Sequence, residues 1–174
     1  MLNIIKNKKS EDIVLFLISN PSREFSQKEI MRKANVSKAT IAKSVPLLKD
    51  KGLIFLRKIG VTNLIRLNNE DIIIKEIKKI KIISELDDLK KLKDIEIYLY
   101  GSCARGEYVE ESDVDLLVIG NIKREDIVSL MQNLSKKIRR NISFKIFSDI
   151  DWVKLSKKDP SFYERVEKDK IRLV

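Results

Sequence analysis

The feature that most constrains this chain is Leu99-Tyr100-Gly101-Ser102-Cys103-Ala104-Arg105-Gly106-Glu107, followed by Ser112-Asp113-Val114-Asp115-Leu116-Leu117-Val118. An apolar run from Ile95 to Tyr100 stops at Gly-Ser, and a second, opening on alternating carboxylates, follows Ser112. Successive side chains of an extended chain point to opposite faces, so Asp113 and Asp115 share one face while Val114 and Leu116 take the other. Two carboxylates held close together repel unless a hard divalent cation neutralises them, and oxygen ligands of this kind suit Mg²⁺ or Mn²⁺ bridging phosphates. The Gly-Ser turn offers backbone N–H groups and a hydroxyl to phosphate oxygens, with no Cβ at the glycine to bar close approach. These residues outline a site for a nucleoside triphosphate.

The frame Gly101-Ser102-x-Ala104-Arg105-Gly106-Glu107 with Ser112-Asp113-x-Asp115-Leu116 resembles the signature of the DNA polymerase β-like nucleotidyltransferase superfamily, in particular its minimal nucleotidyltransferase branch. The resemblance implies a mixed α/β core and transfer of a nucleoside monophosphate to a hydroxyl, with pyrophosphate leaving. It implies that Asp113 and Asp115 are the catalytic metal ligands and that Gly101 and Ser102 hold the β- and γ-phosphates. Arg105 either balances triphosphate charge or is a salt-bridging surface residue, and Glu107 is structural. Active relatives carry a third carboxylate on the next strand. Here Ser143, or by a two-residue slip Lys145, stands where that acid belongs; a lysine there replaces metal charge, and Asp149 and Asp151 serve only if the strand end curls inward. Minimal nucleotidyltransferases often accompany a partner of helical, nuclease-like fold in toxin–antitoxin modules, so the resemblance also implies a toxin-like protein partner.

Charge divides the 174 residues: residues 1–93 carry 21 basic and 11 acidic side chains and residues 94–174 carry 15 of each, so the whole formal charge of +10 lies in the first half. Such asymmetry points to a polyanion contact there. One cysteine and no histidine exclude a disulfide framework and any histidine-built zinc site, and fit a reducing, cytoplasmic setting. No apolar run reaches membrane-spanning length and the N-terminus lacks a signal-peptide pattern, so the expectation is a soluble chain with no membrane partner.

The basic half reads as a winged helix-turn-helix, mostly α with a β-hairpin wing, spanning residues 1–70. A helix over 12–19 ends at Asn20-Pro21. Ser26-Gln27-Lys28-Glu29 is a capping box that starts a helix at Gln27, and Ser37 caps another from Lys38 to about Lys51, bent or broken at Pro46. Strands over 53–58 and 64–67 form the hairpin. Residues 35–41 and 48–54 resemble the recognition helix and following strand of winged-helix transcription regulators. The candidate contacts to double-stranded DNA are Ser37, Lys38, Thr40, Lys43 and Ser44 on the helix and Arg57, Lys58 and Arg66 in the wing. Residues 71–93 read as one amphipathic connecting helix with Ile73, Ile77, Ile80 and Leu86 inward, packed within the chain or against a second copy in a homodimer.

Residues 94–174 form the α/β nucleotidyltransferase-like mixed-sheet domain: strands at 95–100, 114–118 and 142–147, helices at 125–140, 149–155 and 160–167, and a terminal strand or tail. Two readings follow. One is a DNA-binding regulator carrying a Mg-nucleotide site; the other is an enzyme that modifies a protein or small-molecule hydroxyl, with the antitoxin of a toxin–antitoxin pair as its variant.

Overall fold

A computed structural model describes residues 8–174, so the first seven residues of the expected 1–70 domain lie outside the described residues. The chain forms two compact units, residues 1–75 and 76–174. Among the described residues no helix is long and apolar enough to cross a membrane.

In the first unit, α1 (Lys8–Ile18) precedes β1 (Phe25–Ser26), α2 (Gln27–Lys33) and α3 (Lys38–Asp50), and then β2 (Ile54–Ile59) and β3 (Thr62–Leu67) form an antiparallel hairpin whose β3 also pairs with β1. The capping box is complete: the Ser26 hydroxyl accepts from the Glu29 backbone N–H at 3.2 Å, and the Glu29 carboxylate accepts from the Ser26 N–H at 2.8 Å. Ser37 caps α3 by accepting from the Thr40 N–H at 3.1 Å. Ile41, Val45 and Leu48 are buried as the periodicity predicts.

Three expectations change. Ser44 lies on the inner face of α3, three residues from Ile41 and four from Leu48; it is buried and hydrogen-bonded to the Ser10 hydroxyl at 2.7 Å, so it is not an exposed DNA-facing residue. Pro46 neither ends nor interrupts α3; it sits on the exposed side, where the carbonyl it leaves unbonded can take water. The helix expected over 71–93 is shorter. Asp71 caps α4 (Ile72–Glu85) by accepting from the N–H groups of Ile73 and Ile74, and a 3₁₀ turn (Asp87–Lys91) follows. The Leu86 N–H is shared between the carbonyls of Ile82 and Ile83, which tightens the last turn, and the acids that follow disfavour a longer helix. The buried line of α4 is Ile74, Lys78 and Ile82, continued by Leu86, whereas Ile80 is exposed.

The second unit is a four-stranded sheet in the order β6-β5-β4-β7. It comprises β4 (Ile95–Tyr100), β5 (Val114–Gly120), β6 (Ile142–Phe147) and β7 (Ile171–Arg172); β4 runs antiparallel to β5 and β7, and β5 runs parallel to β6. A single helical turn, α5 (Gly101–Arg105), follows β4, α6 (Arg124–Ile138) crosses from β5 to β6, and α7 (Asp149–Lys158) and α8 (Pro160–Asp169) come last. Val114, Leu116 and Val118 pack on one face with Ile82, Leu86, Ile127, Met131 and Leu134. Leu117 and Ile119 pack on the other with Trp152, Phe162 and Val166. Apolar cover on both faces explains why β5 turns from alternating to continuous hydrocarbon after Asp115.

Candidate active site

The site lies where β4 ends and β5 begins. Tyr100 and Asp115 are paired across the two strands, so the Gly101-Ser102 turn is brought against the second carboxylate by sheet register alone. Gly101 has φ +73°, and a Cβ there would stand 2.8 Å from Asp115 Oδ2. Glycine is required twice over, by the left-handed backbone and by the approach of the carboxylate. The expected Gly-Ser turn is the opening of α5, closed by Gly106 at φ +69°.

Asp113 is exposed and Asp115 half-buried, on the face shared with Leu117. Burial and the neighbouring Asp113 hold the Asp115 carboxyl above its ordinary range, while Lys145 and Arg165 pull in the opposite direction. A carboxylate pair whose charged form is disfavoured this way, beside a cradle that a Cβ would fill, fits one divalent cation. No third Asp, Glu, His or Cys joins the pair in a metal-holding group among the described residues. The β5–β6 register pairs Asp115 with Ser143 and Leu117 with Lys145, so Ser143 stands beside the second carboxylate without a two-residue slip. Asp149 and Asp151 lie in the first turn of α7 instead, where Asp151 bonds the capping Ser148.

Arg105, expected either to balance triphosphate charge or to form surface salt bridges, is paired with Glu107 at 2.7 Å and Asp169 at 2.9 Å. It lines an open hollow with Ser161, Arg165 and Lys168.

Sequence reasoning missed the residues that hold the loop between turn and carboxylates. Lys78, fully buried on α4, donates to the Tyr108 carbonyl at 2.7 Å. Arg140 donates to the carbonyls of Val109, Glu110 and Ser112 at 2.6, 3.2 and 3.1 Å. Both cations lie over the Tyr108 ring, each 4.6 Å from its centroid. Cys103 donates to the Asp113 carbonyl at 3.4 Å, and burial pushes its thiol up to about 11. The backbone leading into Asp113 is thereby fixed from both sides, a form of preorganisation that a metal site needs. A lysine inside an isoleucine-rich helix was the one available signal, and it reads as a surface charge until the helix is placed.

Of the proposed DNA-facing residues, Ser37, Lys38, Lys43, Arg57, Lys58 and Arg66 are exposed and Thr40 is half-buried. Ser37 and Thr40 bond each other through their hydroxyls at 3.0 Å at the start of α3. Arg57 is paired with Glu24, and the Arg66 guanidinium lies 5.3 Å from the Phe55 ring centroid.

Residues 80–174 match the family described as Polymerase beta, Nucleotidyltransferase. A candidate protein adenylyltransferase of Methanocaldococcus jannaschii is 44% identical over 41 residues, which are 24% of this chain and 41% of that protein. The chain therefore spans less than half the length of this curated relative. Among solved structures, a candidate nucleotidyltransferase from Sulfolobus solfataricus is 24% identical, with a TM-score of 0.32 over 56% of this chain and 84% of its own. A chain from the complex of tri-AMPylated HEPN toxin with MNT antitoxin of Shewanella oneidensis is 18% identical, with a TM-score of 0.33 over 57% and 71%. The family match covers more than half of the chain and contains the turn, both carboxylates and the sheet that joins them: this chain belongs to the polymerase β nucleotidyltransferase family.

Proposed function

We propose that residues 76–174 bind a nucleoside triphosphate with Mg²⁺, or Mn²⁺ in its place, and transfer the nucleoside monophosphate to a hydroxyl of a partner protein. The observation that carries this reading is the convergence of Gly101, Ser102, Asp113 and Asp115 at one end of the sheet, with the Asp115 carboxylate against the glycine. Gly101 and Ser102 hold the β- and γ-phosphates, and Asp113 and Asp115 hold the cation, which when bound polarises the triphosphate. The acceptor oxygen bonds to the α-phosphorus as the bond from that phosphorus to the β-bridging oxygen breaks; pyrophosphate leaves and the hydroxyl proton passes to solvent. The name of the M. jannaschii relative favours ATP as the donor and a protein as the acceptor. A toxin-like partner is one acceptor of that class.

Incubation with α-labelled ATP, GTP, CTP and UTP, Mg²⁺ and cell extract tests the reading. A labelled protein band that disappears in Asp113→Asn with Asp115→Asn is the expected result. No label on any protein or small molecule with all four nucleotides overturns transfer.

For the first unit we propose a winged helix-turn-helix that binds double-stranded DNA and delivers the site to it as a regulator. Two helices joined by a short turn, a three-stranded sheet ending in an exposed hairpin, and 15 Lys or Arg against 7 Asp or Glu in residues 1–75 favour this reading. Lys38 and Lys43 on α3 and Lys58 and Arg66 on the hairpin are its phosphate contacts. Arg57, Ser37 and Thr40 have partners within the unit.

A further inference from the structure

The place of the third carboxylate is occupied by Ser143, and the residue two further along β6 on the same face is Lys145. The Lys145 ammonium lies 4.1 Å from the Phe162 ring centroid. The Arg165 guanidinium, three residues along α8 from Phe162, lies 5.5 Å from the same centroid. Phe162 packs with Tyr100 and Leu117, whose neighbours in the chain are Gly101 and, two residues back, Asp115. One buried ring thus lies against two exposed cations, on the face of the sheet that carries Asp115 and Leu117. Lys145 is paired with Leu117 across β5–β6, two residues from Asp115 on the same face. Neither cation forms an ion pair with a carboxylate among the described residues, whereas Arg105 is committed to Glu107 and Asp169.

We propose that Lys145 and Arg165 are fixed cations for the triphosphate, standing in for the charge of a second divalent ion, so that the site takes one divalent ion per bound nucleotide. The proposal rests on the nucleotide-binding reading above. A second ion lacks a ligand, since Ser143 contributes no charge, and an ammonium two residues away repels it. Triphosphate recognition by side-chain cations needs no metal, so part of the affinity persists in chelator.

The test uses the full chain and a non-hydrolysable ATP analogue. Free Mn²⁺ followed by electron paramagnetic resonance at saturating analogue is expected to give one ion per chain in the wild type. In Ser143→Asp with Lys145→Ala, which restores three carboxylates and removes the opposing charge, two are expected. With EDTA present, Lys145→Ala and Arg165→Ala are each expected to weaken analogue binding at least tenfold, and Lys145→Arg to restore it to within threefold. Two Mn²⁺ ions per wild-type chain, or unchanged affinity of both alanine variants in EDTA, overturns the proposal. If those variants match the wild type while Asp113→Asn with Asp115→Asn abolishes Mn²⁺-dependent binding, the nucleotide site stands and only this inference falls. Absence of analogue binding to the wild type under every condition overturns both.

Discussion

At the scale of single residues, a few atoms fix the second carboxylate and the loop that leads to the first. Gly101→Ala places a methyl carbon 2.8 Å from Asp115 Oδ2 at a backbone φ of +73°, so either the turn or the carboxylate must move. Calorimetry is expected to show Mg-ATP affinity down at least tenfold, with the fold retained by circular dichroism. Arg140 is the second such position, because its guanidinium serves three carbonyls of the loop that ends at Asp113. Arg140→Ala is expected to cost roughly 1.5–3 kcal/mol in denaturant unfolding, the range for hydrogen bonds made by a charged donor. Arg140→Lys, with one compact ammonium in place of the planar fork, should recover only part of it. Cys103 gives a pH readout of the same loop. Its thiol is raised from 9.0 to about 11 by burial, so the neutral thiol is the favoured folded form; its contribution to stability is complete below pH 9 and is lost as pH rises from there toward 11. Iodoacetamide at pH 8 is expected to leave Cys103 unmodified in the folded chain and to alkylate it in urea.

Secondary-structure elements show where reading the sequence succeeded and where it could not. The caps at Ser26 and Ser37 were legible because the responsible side chains lie within three residues of the groups they satisfy. The strand after the Gly-Ser turn, with Val114, Leu116 and Val118 on one face, was legible because strand alternation is a local rule. The choice between Ser143 and Lys145 was not local: it needed the β5–β6 register, which is set by long-range packing of Leu116 and Phe144. Ser44 reads as polar surface because a serine on an otherwise apolar face needs a distant partner to be satisfied there, and that partner, Ser10, is 34 residues away. Lys78 was hidden for the same reason, since its acceptor lies 30 residues off. On α3 the remaining exposed cations give a direct test. Lys38→Glu with Lys43→Glu is expected to weaken duplex DNA binding at least tenfold at 0.1 M salt, measured by fluorescence anisotropy; unchanged affinity removes this face as the contact.

For the whole molecule, charge is distributed unequally between the two units. The 15 Lys or Arg against 7 Asp or Glu of residues 1–75 favour a polyanion as the ligand of the first unit. If about four phosphates of the duplex are neutralised, the logarithm of DNA affinity should fall with the logarithm of salt at a slope of roughly minus four. Nucleotide binding by the second unit is tested by isothermal titration of Mg-ATP into wild type and into Asp113→Asn with Asp115→Asn. Saturable binding to the wild type and at least tenfold weaker binding to the double variant, a loss of about 1.4 kcal/mol or more, are expected. Equal affinity of the two proteins, with both folded, would contradict binding at the carboxylate pair.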